Sequence, residues 1–185
     1  LGMKFGIWYE PECVSEDSDL YRAHPDWAFT VPGRKPVRSR NQLVLDFSRQ
    51  EVRDYIFDQM SAVLDRAEVD YLKWDFNRSI CDVYSAALSA DRQGEVLHRY
   101  VLGLYEFLER LGKRYPDMLM EGCSGGGGRF DAGMLYYTPQ IWCSDDTDAI
   151  ERLDTSTELP FATRSARWEL MYPPAQIIRQ EDLSL

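Results

Sequence analysis

Histidine and cysteine are scarce in this chain of 185 residues: two of the first, His24 and His98, and four of the second, Cys13, Cys81, Cys123 and Cys143. No two cysteines form a CxxC pair. That argues against a zinc site, which draws on closely spaced Cys and His ligands, and it suits a reduced, cytoplasmic protein. No apolar run reaches the about 18 residues needed to cross a membrane. No signal peptide is visible; the chain opens on Leu1-Gly2 rather than Met, so a native start further upstream is expected. Cations are also short, with 21 Lys and Arg against 31 Asp and Glu, a net charge of −10. A nucleic-acid partner would need a basic surface to neutralise phosphates, so that class is disfavoured. A neutral, hydroxyl-rich ligand remains compatible with this charge.

The length allows one domain with a sizeable core. It falls short of the about 250 residues typical of a complete eightfold α/β barrel. Short apolar or β-rich runs recur at residues 4–9, 42–47, 69–74, 118–120 and 140–143. Several are apolar on consecutive residues, the pattern of strands buried on both faces of a parallel sheet. Helical stretches separate them. Ser48 followed by Glu51 reads as a capping box, with Val52, Ile56, Met60, Val63, Leu64 and Ala67 inward at helical spacing. A second helix is predicted over residues 93–114, with Val96, Tyr100, Leu104, Phe107, Leu108 and Leu111 inward and Pro116 beyond its end. Strand–helix alternation predicts an α/β fold. Five recognisable strands against the eight of a closed barrel predict an incomplete (β/α)8 TIM barrel. Residues 32–40, with Arg34, Lys35, Arg38 and Arg40, read as an exposed loop.

Two aspartates stand where apolar runs stop. Asp75 ends Tyr71-Leu72-Lys73-Trp74-Asp75, and Asp145 opens Asp145-Asp146-Thr147-Asp148. Catalytic carboxylates of barrel enzymes sit at the C-terminal ends of strands, and a pair of them is the equipment for glycoside cleavage. In a strand Lys73 and Asp75 share a face, and a Lys so placed keeps a carboxylate ionised and ready as a nucleophile. Asn77 and Arg78 stand beyond as donors for sugar hydroxyls. The alternative is an Asp that caps the next helix. Crowding Asp145, Asp146 and Asp148 raises at least one pKa, as a general acid requires. The same residues also suit a helix N-terminus, and the two readings are compatible.

The run Cys123-Ser124-Gly125-Gly126-Gly127-Gly128-Arg129-Phe130-Asp131 lets backbone amides approach a ligand. No Lys-Ser/Thr follows the glycines, so a phosphate loop is disfavoured, and a turn shaping a pocket is expected. Trp8, Tyr9, Glu10 and Glu12 join aromatic platforms to carboxylates, which suits sugars; the alternative places Trp8 in the core. His24 reads as a loop residue and His98 as structural.

These segments resemble the bacterial α-galactosidases of glycoside hydrolase family 36. The resemblance rests on Phe5-Gly6-Ile7-Trp8-Tyr9-Glu10-Pro11-Glu12, residues 17–27, Arg40-Asn41-Gln42-Leu43-Val44-Leu45-Asp46, and residues 71–78, 121–131 and 144–152. It covers residues 2–153, and the Lys-Trp-Asp and Ser-Asp-Asp-Thr-Asp segments in this order are its most specific part. It implies a (β/α)8 catalytic barrel and a retaining mechanism, with Asp75 as nucleophile and Asp145 as acid/base. Lys73, Asn77, Cys123 and Arg40 are similar to residues that hold galactose hydroxyls, Trp8 to a pocket wall, and Gly125 and Gly126 to backbone that admits the sugar. No metal or other cofactor is implied.

The implied activity is release of terminal α-linked galactose from melibiose- or raffinose-type sugars. The alternatives are an α-galactosyl transferase of the same family and an inactive barrel fragment or sugar-binding module. The family's upstream strands, which carry an acidic pair, and its N-terminal β-sandwich are not recognised in this sequence. Residues 154–185 read as a divergent C-terminal segment, part of the same domain or poorly ordered, although Tyr172-Pro173-Pro174 is similar to the family's Tyr-Pro-Pro. The resemblance implies a homo-oligomer; separately, an open barrel leaves strand edges unpaired, which invites association.

Overall fold

Four of the five expected strands line up side by side in a computed structural model that describes residues 2–142, 144–146 and 148–151. In chain order the regular elements are β1 (Gly6–Tyr9), β2 (Cys13–Ser15), α1 (Asp19–Ala23), β3 (Gln42–Val44), α2 (Gln50–Leu64), β4 (Tyr71–Trp74), α3 (Val96–Arg114), β5 (Leu119–Gly122), α4 (Ala132–Tyr137) and β6 (Gln140–Ile141). The chain divides into two compact units. Among the described residues, one holds 2–9, 68–77 and those from 115 to 151, the other 10–67 and 78–114. The C-terminal segment 154–185 lies outside the described residues.

The first unit is built on a parallel sheet in the order β1-β4-β5-β6. Parallel neighbours need long connections, and the chain supplies them between β1 and β4 and between β4 and β5. The α/β class with a parallel sheet is therefore present. Along β4, Leu72 and Trp74 are buried while Tyr71 and Lys73 on the opposite face are half-buried. Register places Trp8 beside Lys73, Lys73 beside Glu121, and Glu121 beside Gln140. One rung across the sheet thus carries an indole, an ammonium, a carboxyl and an amide.

The run at 42–47 does not join this sheet. β3 pairs antiparallel with β2, Val14 opposite Leu43. Leu43, Val44, Leu45 and Phe47 are all buried, and Leu45 donates its amide to Glu12 O at 2.9 Å. Consecutive apolar residues encode burial on both faces, not strand direction, which is why this segment read as a barrel strand.

In the second unit α2 and α3 pack around Phe47, whose ring lies 5.5 Å from Phe107 and 6.0 Å from Tyr100. Phe57 meets Phe107 edge-on at 5.6 Å. Each such fully buried side chain contributes about 1.5–3 kcal/mol of hydrophobic stabilisation. All six residues expected inward on α3 are buried, and the helix stops at Arg114 ahead of Pro116. Gly103, midway along it, allows close approach: a Cβ there would lie 2.0 Å from Phe47 O.

α2 departs from expectation at its start, on its inward face and at its end. Ser48 does not cap it: its amide and hydroxyl both donate to the buried Asp46 carboxylate, and Arg49 occupies the cap position with no side-chain cap bond. A buried carboxylate needs donors more than a helix end open to solvent does. Val63 is exposed and Phe57 is buried in its stead. The helix ends at Leu64, so Ala67 lies beyond it.

Candidate active site

β4 gives out at Trp74, and Asp75 follows with its amide bonded to Tyr9 O at 2.8 Å. The Asp75 side chain is buried. Its Oδ2 accepts from Trp8 Nε1 at 3.1 Å and Asn77 Nδ2 at 2.5 Å, and its Oδ1 from Phe76 N at 2.8 Å. Burial pushes this carboxyl upward. Hydrogen bonds from Asn77, the Cys123 thiol, Trp8 and Phe76 outweigh that and hold it below the usual carboxylate range. The expected agent of ionisation, Lys73, is not among these partners. Its ammonium lies 2.8 Å from Glu121 Oε1 and 3.7 Å from the centre of the Trp142 ring. Burial lowers the Lys73 pKa, while the nearby Cys123, Asp75 and Asp145 pull it back up.

Cys123 follows β5 and is buried. Burial pushes its thiol up to about 11, so it stays protonated and serves as a donor to Asp75. Asn77 has both ends engaged: its oxygen accepts from Gly125 N at 3.1 Å while its nitrogen serves Asp75. Arg78 is engaged by backbone carbonyls in this structure. Its guanidinium donates to Gln42 O and to Val37 O in the second unit. Gly125 and Gly126 have φ of 55° and 88°, a left-handed pair that lets the chain fold back so that Ser124 N meets Gly126 O at 3.0 Å. The glycine run thus makes a tight turn anchored to the residue that holds Asp75.

Asp145 accepts from Trp142 Nε1 at 2.7 Å. Its neighbours do other work. Asp146 accepts from the Asp148 amide at 2.8 Å, and Asp148 accepts from the amides of Ile150 and Glu151 at 2.8 and 3.2 Å, as a helix cap does. Capping thus falls to Asp148, while Asp145 faces the Trp142 indole. Cys143 and Thr147 lie outside the described residues.

The first unit brings together Trp8, Lys73, Asp75, Asn77, Cys123, Gly125 and Gly126, with Asp145 reached through Trp142 and Lys73. Trp8 is half exposed, not core. Arg40 belongs to the second unit, at the head of a tight turn where Arg40 and Asn41 have φ of 53° and 59°. There its guanidinium faces Glu10 at 4.0 Å.

Sequence reasoning missed Tyr71, Glu121, Gln140 and Trp142. Glu121 is buried, with the Tyr71 hydroxyl and Gln140 Nε2, the latter at 3.1 Å, donating to Oε2. Burial lifts its carboxyl to about 7. The available signal was a charged residue inside the apolar run Leu119–Gly122, since buried Glu is rare without partners. Among the described residues no group of three or more His, Cys, Asp or Glu is arranged to hold a metal ion. None of the helices described is long and apolar enough to cross a membrane.

A sequence model of the melibiase family matches residues 1–177. The chain belongs to the melibiase family. The match runs on past residue 153. Within the family, the chain is 70% identical over 151 residues to the bifunctional α-galactosidase/sucrose kinase AgaSK of Mediterraneibacter gnavus, covering 82% of this chain and 15% of that protein. It is 63% identical over 152 residues to α-galactosidase Mel36A of Lactobacillus acidophilus, covering 82% and 21%. Crystal structures of the GH36 α-galactosidase AgaA of Geobacillus stearothermophilus superpose with a TM-score of 0.85 at 52% identity, over 87% of this chain and 22% of that one. Two of them are aspartate-substituted variants holding raffinose and stachyose. The chain thus spans 15% to 22% of the length of these melibiase relatives.

Proposed function

We propose that this chain forms part of the (β/α)8 catalytic barrel of a retaining α-galactosidase that removes terminal α-linked galactose from raffinose-type oligosaccharides. Asp75 is the nucleophile and Asp145 the acid/base. The observation that carries the reading is the Asp75 carboxylate, buried just past the end of a parallel strand and kept ionised by four donors. A nucleophilic carboxylate needs that state before substrate arrives. A second line of support is spacing: the aspartates replaced in the raffinose- and stachyose-bound AgaA variants are separated along their chain by the same number of residues as Asp75 and Asp145 here.

Asp75 attacks the anomeric carbon while Asp145 protonates the departing oxygen; water, deprotonated by Asp145, then releases galactose. Cys123, Asn77 and Trp8 steady the nucleophile. Lys73 supplies positive charge beside the sugar, Gly125 and Gly126 admit it, and Arg40 is proposed as a further hydroxyl-holding residue. Cys81, which is exposed, and Cys123 are thiols rather than disulfides, which favours a reducing, cytoplasmic setting.

The test is hydrolysis of p-nitrophenyl α-D-galactoside by this chain beside an Asp75→Asn control. Release that disappears in the control is the expected result. Release that persists in the control removes Asp75 from its role, and no release from a folded longer chain carrying the upstream strands overturns the functional reading.

A further inference from the structure

Lys73 is the one cation on the polar rung of the sheet, and its posture is set by Glu121. From β5, Glu121 Oε1 lies 2.8 Å from Lys73 Nζ on β4. Its Oε2 is held by the Tyr71 hydroxyl from β4 and by Gln140 Nε2 from β6 at 3.1 Å. The carboxyl is thus fixed from both neighbouring strands, and register adds a third constraint by placing Lys73, Glu121 and Gln140 side by side. The ammonium it holds lies over the Trp142 ring at 3.7 Å, and Trp142 Nε1 donates to Asp145 at 2.7 Å. A cation over an indole face is attracted to it, so displacing Lys73 also frees the indole that bonds Asp145.

We propose that Glu121 is a positioning residue that fixes Lys73 against Trp142 and thereby couples the strand bearing Asp75 to the Asp145 carboxylate. The proposal rests on the reading of Asp75 and Asp145 given above, but Glu121 itself touches no substrate in it. The groups facing Glu121 are Tyr71 and Lys73 from β4 and Gln140 from β6. Cys123 stands two residues on, just past the end of β5, and Asp75 and Asp145 act on Lys73 beside it. Burial places its proton loss near neutrality, where the carboxylate gained strengthens its grip on the ammonium.

The experiment labels the whole chain with 5-fluorotryptophan and follows the Trp142 signal by 19F NMR across pH 5 to 9, assigned with Trp142→Phe. The expected result is a titration step in that signal for the wild type that is absent in Glu121→Gln and in Lys73→Met. A step that persists in Glu121→Gln, or a wild-type signal that stays flat, overturns the proposal. If Glu121→Gln does not fold, Gln140→Met serves instead: one lost donor moves the step to higher pH, and an unmoved step overturns the proposal. Where the wild type hydrolyses p-nitrophenyl α-D-galactoside, Glu121→Gln is expected to lower kcat about tenfold with KM changed less than about threefold, because a misplaced acid/base weakens the transition state more than binding. Absence of wild-type hydrolysis removes the functional reading alone, and the 19F result then decides the role of Glu121.

Discussion

Asn77 grips the Asp75 carboxylate at 2.5 Å with its amide nitrogen while its oxygen takes the Gly125 amide at 3.1 Å. One side chain therefore sets the nucleophile and the glycine turn together. Asn77→Ala removes a donor to a charged group, an interaction worth about 1.5–3 kcal/mol. Hydrolysis of p-nitrophenyl α-D-galactoside is expected to fall about 10- to 100-fold in kcat/KM. The sign of the pH effect follows from the same bond. Donors favour the ionised form, so losing one raises the Asp75 pKa and moves the acid limb of the rate profile to higher pH. An acid limb that stays in place would remove Asn77 from this role.

The stereochemistry of release is a separate test. If Asp75 forms a covalent galactosyl intermediate, the first galactose detected by 1H NMR is the α-anomer, before mutarotation. A β-anomer appearing first would mean direct attack by water, and Asp75 would then be a base.

Glu121 gives a stability prediction with a defined sign. Its native pKa is about 7 against an ordinary value of 4.5. Between those values the native state keeps a proton that the unfolded chain has released, so stability falls as pH rises through that window. Lys73 at 2.8 Å works against burial and reduces the effect. A loss of roughly 1–3 kcal/mol is expected at about 1.36 kcal/mol per pKa unit. Urea unfolding at pH 5 and 7.5 should show a smaller difference for Glu121→Gln than for the wild type.

Gly103→Ala tests the packing of α3. The added carbon would stand 2.0 Å from Phe47 O and 2.9 Å from Arg53 Nη1, which itself donates to Phe47 O at 2.7 Å. Backbone cannot yield as a side chain can, so the cost should reach or exceed the about 1–3 kcal/mol usual for overpacking. The helix-propensity gain from Ala, about 1 kcal/mol, does not offset it. A urea midpoint unchanged from the wild type would contradict this geometry.

The parts legible in sequence were those whose signal is local. α3 was readable residue by residue because its apolar positions repeat at helical spacing over five turns, and Pro116 marks its end. Four strands of the parallel sheet were readable from short apolar or β-rich runs. β3 was misassigned because a run apolar on consecutive residues records burial and is silent on direction. The Ser48 cap failed for a similar reason: the carboxylate that claims Ser48, Asp46, is itself buried, and burial is decided by tertiary packing. At the candidate site, Asp75 and Asn77 could be singled out because they follow a strand within two residues of each other. Glu121, Gln140 and Trp142 were not, because their meeting with Lys73 depends on strand register.

That register also has a consequence for synthesis. Phe5 and Asp70, which bond where β1 joins β4, stand 65 positions apart. β1 therefore leaves the ribosome well before the strand that shields its inner edge exists. During that interval the β1 edge that later meets β4 is unpaired, and Phe5 and Trp8 are exposed even once the pair has formed. This rung of the sheet can close only when β4 emerges, so that edge needs protection at the tunnel mouth.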